Sequence, residues 1–331
     1  MKSIYIVTGA NGHLGSTIIK QLNKPKNEIR GLILENEEGL FENVTYFKGD
    51  VRDLNSLIPL FKNPEKKDIY VIHTAGIISI DDKVSPTLYD VNVNGTKNLL
   101  NLAIANNVKR FLYVSSVHAI NEGNKFQTIT ETKDFSPEYV CGAYAKTKAE
   151  ATKLVLEYVN KGLDAVVVHP SGILGPYNTS ASNHLVQLIE SYANNKLPAY
   201  VPGGYDFVDV RDVAMGCISA LKKGKTGECY ILSNRHYDIK ELLNIIKSIQ
   251  GGRRIPMIPI WMAKMALPFI RLLAKIRKKR PLYTKYSLYT LTSNDKFDHS
   301  KASKYLNFKP RDLYYTIKDT LQWMKKNKNT K

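Results

Sequence analysis

A short apolar run, Ile4-Tyr5-Ile6-Val7, passes directly into Thr8-Gly9-Ala10-Asn11-Gly12-His13-Leu14-Gly15, and a helical pattern begins at once with Leu14, Ile18, Ile19 and Leu22 on one side. A strand that becomes a helix through three spaced glycines leaves few choices of fold. Gly9 permits the tight turn, Gly12 lets backbone approach a pyrophosphate, and Gly15 lets the helix pack against the strand. The free N–H groups and positive end of such a helix favour an anion. Gly9, Asn11, Gly12, His13, Leu14 and Gly15 are therefore the expected cradle of a dinucleotide.

Strand-like runs recur at Ile29–Leu34, Val44–Phe47, Ile69–His73, Arg110–Ser115 and Ala165–His169. Helical patterns lie between them, notably Leu88–Asn106 and Tyr144–Lys161. This alternation predicts an α/β fold with a doubly wound parallel sheet, and ligands at the carboxyl ends of its strands. After Pro176 the pattern changes to helix-like segments at His184–Ala193 and Lys240–Ile249, short strands and scattered prolines. The reading is a dinucleotide-binding Rossmann domain over 1–176, with 206–233 returning to it. A smaller C-terminal substrate-binding lid is expected from 177–205 and 234–331.

Tyr144 and Lys148 stand four apart on a predicted helix, so ammonium and phenol share one face. A phenol titrates near ~10, too high for an efficient neutral-pH base. A nearby ammonium and an oxidised nicotinamide would lower that value. Protonated, the same phenol donates to a carbonyl as it is reduced. Ser115-Ser116, at the end of the preceding strand, offers a hydroxyl to hold the substrate oxygen.

The Gly-x-x-Gly-x-x-Gly spacing behind Thr8 has company further on. Gly49-Asp50-Val51-Arg52-Asp53, His73-Thr74-Ala75-Gly76, Asn92-Val93-Asn94-Gly95-Thr96 and Tyr113–Ser116 follow in order. Tyr144–Lys148, His169–Pro176 and Asp206–Ala214 complete the series. The set resembles the extended short-chain dehydrogenase/reductase family across essentially the whole chain. The resemblance implies Ser116, with Ser115 structural, as the catalytic serine beside Tyr144 and Lys148. It implies that Asp50 bonds the adenine amino group, that Val51 packs on that ring, and that Ala75 and Gly76 line the dinucleotide groove. Asn92 would lie near the nicotinamide end, Pro170 and Ser171 would edge the ring, and Tyr144 and Lys148 would also touch the cofactor. Glu35 puts an acid where a carboxylate commonly holds the ribose hydroxyls, which favours NAD. Arg30 close by keeps NADP open.

Within that family, sugar dehydratases carry an Asp-Glu pair beside the serine, and here Val117-His118-Ala119 follows. Ala119-Ile120-Asn121 stands where sugar epimerases often show Val-Tyr-Gly. The chain looks more like the dihydroflavonol-reductase-like and 3β-hydroxysteroid-dehydrogenase-like members. That likeness implies hydride transfer between a nicotinamide and a ketone or secondary alcohol, the substrate being a mid-sized, largely apolar small molecule. Two alternatives stay open: a nucleotide-sugar epimerase using transient NAD oxidation, and a non-catalytic, dinucleotide-binding redox sensor. His73 reads as structural, His118 as a surface or loop residue, and Cys141 as filler near a pocket.

The net charge of +18 is local. No acidic residue lies between Glu241 and Asp295, while eleven lysines and arginines do. This stretch reads as a solvated basic surface, with weak membrane-surface contact through 253–285 as the alternative; no nucleic-acid partner is expected. Apolar residues at 258, 261, 262, 265, 269, 272, 273 and 276 have helical spacing and read as core or lid packing, with Pro268 expected to kink or interrupt the helix. No uncharged apolar run reaches about 18 residues, and the first apolar run is too short for a signal peptide. Three cysteines without ligand spacing read as reduced thiols of a cytoplasmic protein, and no metal site is suggested. The resemblance also allows a homodimer through the helices at Leu88–Asn106 and Tyr144–Lys161.

Overall fold

The computed structural model describes residues 3–25, 27–178, 183–276 and 284–328, with the backbone alone at 184, 270–276 and 328. The first half alternates as its apolar runs dictate. β1 (Ser3–Thr8) leads into α1 (His13–Leu22), then β2 (Asn27–Ile33), β3 (Thr45–Lys48), the short α2 (Leu54–Leu57) and β4 (Ile69–His73). α3 (Pro86–Tyr89) and α4 (Gly95–Ala105) precede β5 (Arg110–Val114), and α5 (Ala143–Asn160) precedes β6 (Ala165–Pro170). β7 (Gly172–Leu174), α6 (His184–Ala193), β8 (Gly204–Asp209), α7 (Val210–Lys223) and β9 (Cys229–Leu232) follow. The chain ends with β10 (His236–Asp238), α8 (Ile239–Gln250), α9 (Ile260–Ile276), α10 (Lys285–Thr290), α11 (Ser300–Leu306) and α12 (Leu313–Lys328).

Seven strands form one parallel sheet in the order β3-β2-β1-β4-β5-β6-β9. The order reverses between β1 and β4, and that switch point is where an open α/β sheet takes its ligand. Side chains alternate across the sheet. Ile4, Ile6, Val71 and Phe111 join Leu99, Leu100 and Val155 of α4 and α5 in one core. Tyr5, Val7, Ile72 and Leu112 join Ile18, Ile19 and Val213 of α1 and α7 in the other. Burial on both faces explains why these strands read as continuous apolar runs; each fully buried aliphatic contributes roughly 1.5–3 kcal/mol.

A second sheet, β10-β8-β7, is smaller. It shares a third core with α6, α8 and α12, built from Val186, Ile189, Leu242, Ile246, Leu313 and Ile317. Within 206–233, α7 packs on the main sheet and β9 joins it, whereas β8 pairs with β7 and β10. β6 and β7 belong to different sheets, and Ser171 is the single residue between them.

The single helix expected over Leu88–Asn106 is instead three pieces: α3, a π-helical turn over Asp90–Asn94, and α4. Ser85 caps α3 by accepting from the Leu88 N–H at 3.2 Å. The wide turn has no composition signature, and such turns gather at functional sites. Here it carries Asn92, which is buried. α9 runs through Pro268 without interruption, and no described helix is long and apolar enough to cross a membrane.

Candidate active site

The loop after β1 is fitted to its own backbone. Gly9 has a φ of +65°, and a Cβ there would stand 3.0 Å from the Ala75 backbone. At Gly15 a Cβ would lie 2.1 Å from the Gly9 carbonyl oxygen, so the third glycine is required by the turn itself. Gly12 differs, since a Cβ there approaches only the same oxygen, at 3.1 Å. Gly12 has no side chain to cap α1, so the first-turn N–H groups remain for a ligand. His13 is not a phosphate contact through its ring. Its Nε2–H donates to the Pro176 carbonyl at 2.8 Å and its Nδ1 accepts from Asn183 at 3.2 Å. Burial lowers its pKa and keeps it neutral.

These contacts separate two substitutions. Gly12→Val should leave the fold in place and weaken dinucleotide binding by about 100-fold, some 3 kcal/mol. Gly15→Ala should destabilise the protein by about 3 kcal/mol, because a carbonyl must move to admit the methyl group. Thermal unfolding and a fluorescence titration distinguish them; equal affinity for Gly12→Val and wild type would remove this loop from the binding site.

Behind the loop lies a buried relay. Thr96 donates to the Asn92 carbonyl at 2.7 Å, so the His73 Nε2–H must donate to Thr96, at 3.0 Å. Nδ1 then accepts from the Thr8 hydroxyl at 2.7 Å. Burial pushes His73 down to about 3, and the Lys148 charge adds to this. Asn92 accepts from Ile77 N–H at 2.8 Å and donates to the Ile77 carbonyl and to Thr147, both at 3.0 Å. It thus clamps the segment after Gly76 against α5.

α5 buries Ala143, Ala145, Ala149 and Ala151, small side chains that let it pack against β6 and the turn after β5. Ser116 lies beside Tyr144 at the end of the same cavity, and its Oγ accepts from the His118 N–H at 3.2 Å. The buried His169 ring donates from Nδ1 to the Ser116 carbonyl at 3.0 Å and stacks on Phe135, fixing the serine from behind. Lys148 Nζ donates to the Val114 carbonyl at 2.8 Å and to Tyr113 Oη at 3.3 Å. Burial lowers Lys148 to about 7 and raises Tyr144 to about 12, against the opposing hydrogen bond from Ser116. The expected lowering of the phenol by the ammonium is therefore absent in the protein alone, because desolvation dominates both groups.

Gly9, Gly12, His13, Leu14 and Gly15 line one cavity with Ala75 and Gly76 on its second wall. Ser116, Tyr144 and Lys148 stand at its far end, with Pro170 and Ser171 beside them. Asn11 sits at the rim, where its amide donates to the Glu38 carbonyl at 2.9 Å. Val51 is buried against Gly95, and Asp50 is held below the usual carboxylate range by its ion pair with Arg52. Glu35 lies exposed, two residues beyond the end of β2. The acid that bonds the strand's end is Glu37, accepting from the Leu34 N–H at 3.1 Å; the Glu-Asn-Glu-Glu run was its signal. Arg30 points away, to Glu28 and the Leu60 and Lys62 carbonyls. A glycine cradle, an uncapped helix start and acids beyond β2 fit a dinucleotide.

Tyr144 also faces a second, mostly apolar cavity, walled by Ile78, Leu185, Val201, Ile239 and Leu291. His118 sits in the turn Val117–Ala119 after β5, the loop position expected, but its side chain lines both cavities and burial pushes it down to about 4. Tyr286 of α10 enters here over Gly142, whose φ of +94° and missing Cβ give the ring its space. Its buried hydroxyl has no hydrogen-bond partner among the described residues. Asp206, a buried carboxyl, accepts from Ser171 Oγ at 2.5 Å and the Asn234 N–H at 2.8 Å; burial raises it to about 6. Tyr286 was not singled out in the sequence, and Asp206 entered only as the first residue of the Asp206–Ala214 run, because no local motif marks a contact between distant segments.

Three comparisons bear on this geometry. Sterol demethylase protein B of Methylococcus capsulatus is 30% identical over 97% of this chain and 98% of its own. A putative dihydroflavonol 4-reductase of Synechocystis sp. is 27% identical, covering 98% of this chain and 95% of that one. The structure of a Thermus thermophilus UDP-glucose 4-epimerase in complex with NAD superposes with a TM-score of 0.75 over 97% of this chain and 99% of that one, at 20% identity, and so shares the fold. Residues 5–239 match the model of the NAD dependent epimerase/dehydratase family, and the chain belongs to that family.

Proposed function

We propose that this protein is an NAD(H)-dependent oxidoreductase that interconverts a ketone and a secondary alcohol on an uncharged, largely apolar substrate. The observation that carries the reading is the position of Tyr144, shared by the glycine-lined cavity and the apolar one. The apolar cavity is bordered by Glu122, Asp206 and Asp295, and no Lys or Arg is among its described lining residues. A nucleotide sugar would bring a diphosphate to that acidic wall, which disfavours the epimerase alternative. Relatives named as a sterol demethylase protein and a dihydroflavonol reductase support the same substrate class.

Bound in the first cavity, the reduced cofactor supplies a hydride. The rest falls to the chain. Tyr144, carrying its proton at neutral pH, gives it to the substrate oxygen as negative charge develops there. Ser116 holds that oxygen, and the Lys148 charge favours the phenolate left behind. The small β7–β8–β10 unit serves as the lid, with Tyr286 offering a further polar contact. The acids Glu35, Glu37 and Glu38 beyond β2, with Lys48 already paired to Glu38 at 3.1 Å, oppose a 2′-phosphate and favour NAD over NADP.

The test is a fluorescence titration with NADH and NADPH, followed by turnover on apolar ketones and on UDP-glucose. Tighter NADH binding and ketone-dependent NADH oxidation are expected. Failure to bind either dinucleotide, or epimerisation of UDP-glucose in place of ketone reduction, would sink the proposal.

A further inference from the structure

α9 shows its apolar side chains to the outside. Trp261 is 62% exposed, Met265 68% and Phe269 74%, with Met262 beside them at 45%. Residues 261, 265 and 269 follow one another at helical spacing, so they form a single row. The opposite face carries Ala263 and Leu267, which are buried in the third core. Core or lid packing was the expectation for the whole segment, with membrane-surface contact as its alternative; in the structure one face packs in the core and the other is left over. Large exposed apolar groups in a row mark an interaction surface.

The charge around the row says what covers it. Lys264 is exposed on the flank of α9, and Arg253 and Arg254, both exposed, precede the helix, with the Arg253 guanidinium donating to the Leu197 carbonyl at 3.2 Å. In the sequence, Arg271, Lys275 and the run Arg277-Lys278-Lys279-Arg280 continue the basic stretch; the run lies outside the described residues. A second copy packed face to face would bring this acid-free stretch against itself, which like charges oppose. An anionic bilayer satisfies both halves, taking apolar side chains into its boundary and cations at its phosphates. α9 also packs on α10, the helix that brings Tyr286 and Thr290 to the apolar cavity.

We propose that α9 docks the protein flat on an anionic membrane surface, with the Trp261–Met265–Phe269 row sunk about 5–10 Å into the headgroup boundary. The apolar cavity then stands beside the phase in which an apolar substrate dissolves.

The test uses the full chain with vesicles of phosphatidylcholine alone and mixed with phosphatidylglycerol, at low and high salt. Sedimentation with the anionic vesicles, weakened by salt, is expected, with a blue shift of Trp261 emission read in a Trp323→Phe background. The combined variant Trp261→Ser, Met265→Ser, Phe269→Ser should lose about tenfold or more in vesicle partition. Its NADH titration should match wild type, which shows that the variant is folded and separates this result from the fate of the functional reading. No sedimentation at low salt, or equal partition of variant and wild type, would overturn the proposal. So would a lipid-free dimer that the triple variant splits, which gives the row to a second copy.

Discussion

Tyr144→Phe is expected to lower kcat for ketone reduction by about 10³-fold, while NADH binds within a few-fold of wild type. The substitution removes one oxygen. The ring stays on α5, and Ser116 keeps its bond from the His118 N–H. What disappears is the proton that neutralises the substrate oxygen, and the hydroxyl of Ser116, far less acidic than a phenol, cannot replace it. Steady-state kinetics beside a cofactor titration decide the matter. Retained turnover would mean that the proton comes from elsewhere; lost NADH binding would make Tyr144 structural.

Lys148→Met should slow turnover and raise stability at once. Turnover falls by about 100-fold because the phenolate left by proton transfer loses the neighbouring charge. Stability rises because a cation is no longer held in an apolar place, where its pKa falls from 10.5 to about 7. The Val114 carbonyl loses its donor, an opposing cost of about 1–3 kcal/mol, so the net gain is on the order of 1–3 kcal/mol. The pH dependence carries the sign. Below pH 7 the native protein bears the full cost of the buried charge. From about pH 7 to about pH 10 the unfolded chain still binds the proton that the native one has released, so wild-type stability climbs. The gap between variant and wild type should therefore be widest in mild acid and close towards about pH 10. Urea unfolding at both ends of that range measures it, and a variant less stable than wild type in mild acid would show that the ammonium is fully compensated where it lies.

Much of this fold is legible because burial on both faces writes apolar runs. Ile69–His73 is a strand at the expected bounds, and His184–Ala193 a helix at the expected bounds. α5 begins one residue before the expected helix, at Ala143, since the turn is set by Gly142 and not by a capping side chain. Of the site, the glycine loop and the Tyr144–Lys148 pair were readable because their spacing is local. The Gly142–Tyr286 fit, the His169 bond behind Ser116 and the turn of His118 towards the cavities depend on segments far apart in sequence. The raised pKa of Tyr144 was out of reach for the same reason: local spacing gives proximity to an ammonium, whereas desolvation belongs to the whole enclosure.

The seven-stranded sheet receives its last strand at Leu232, but the third core needs Leu313, Ile317 and Leu321 of α12. A ribosome delivers these parts in that order. The dinucleotide groove is lined by residues 9–185, whereas the apolar cavity also waits for Tyr286 and Leu291. A dinucleotide able to bind at that stage would stabilise the partly made chain by mass action.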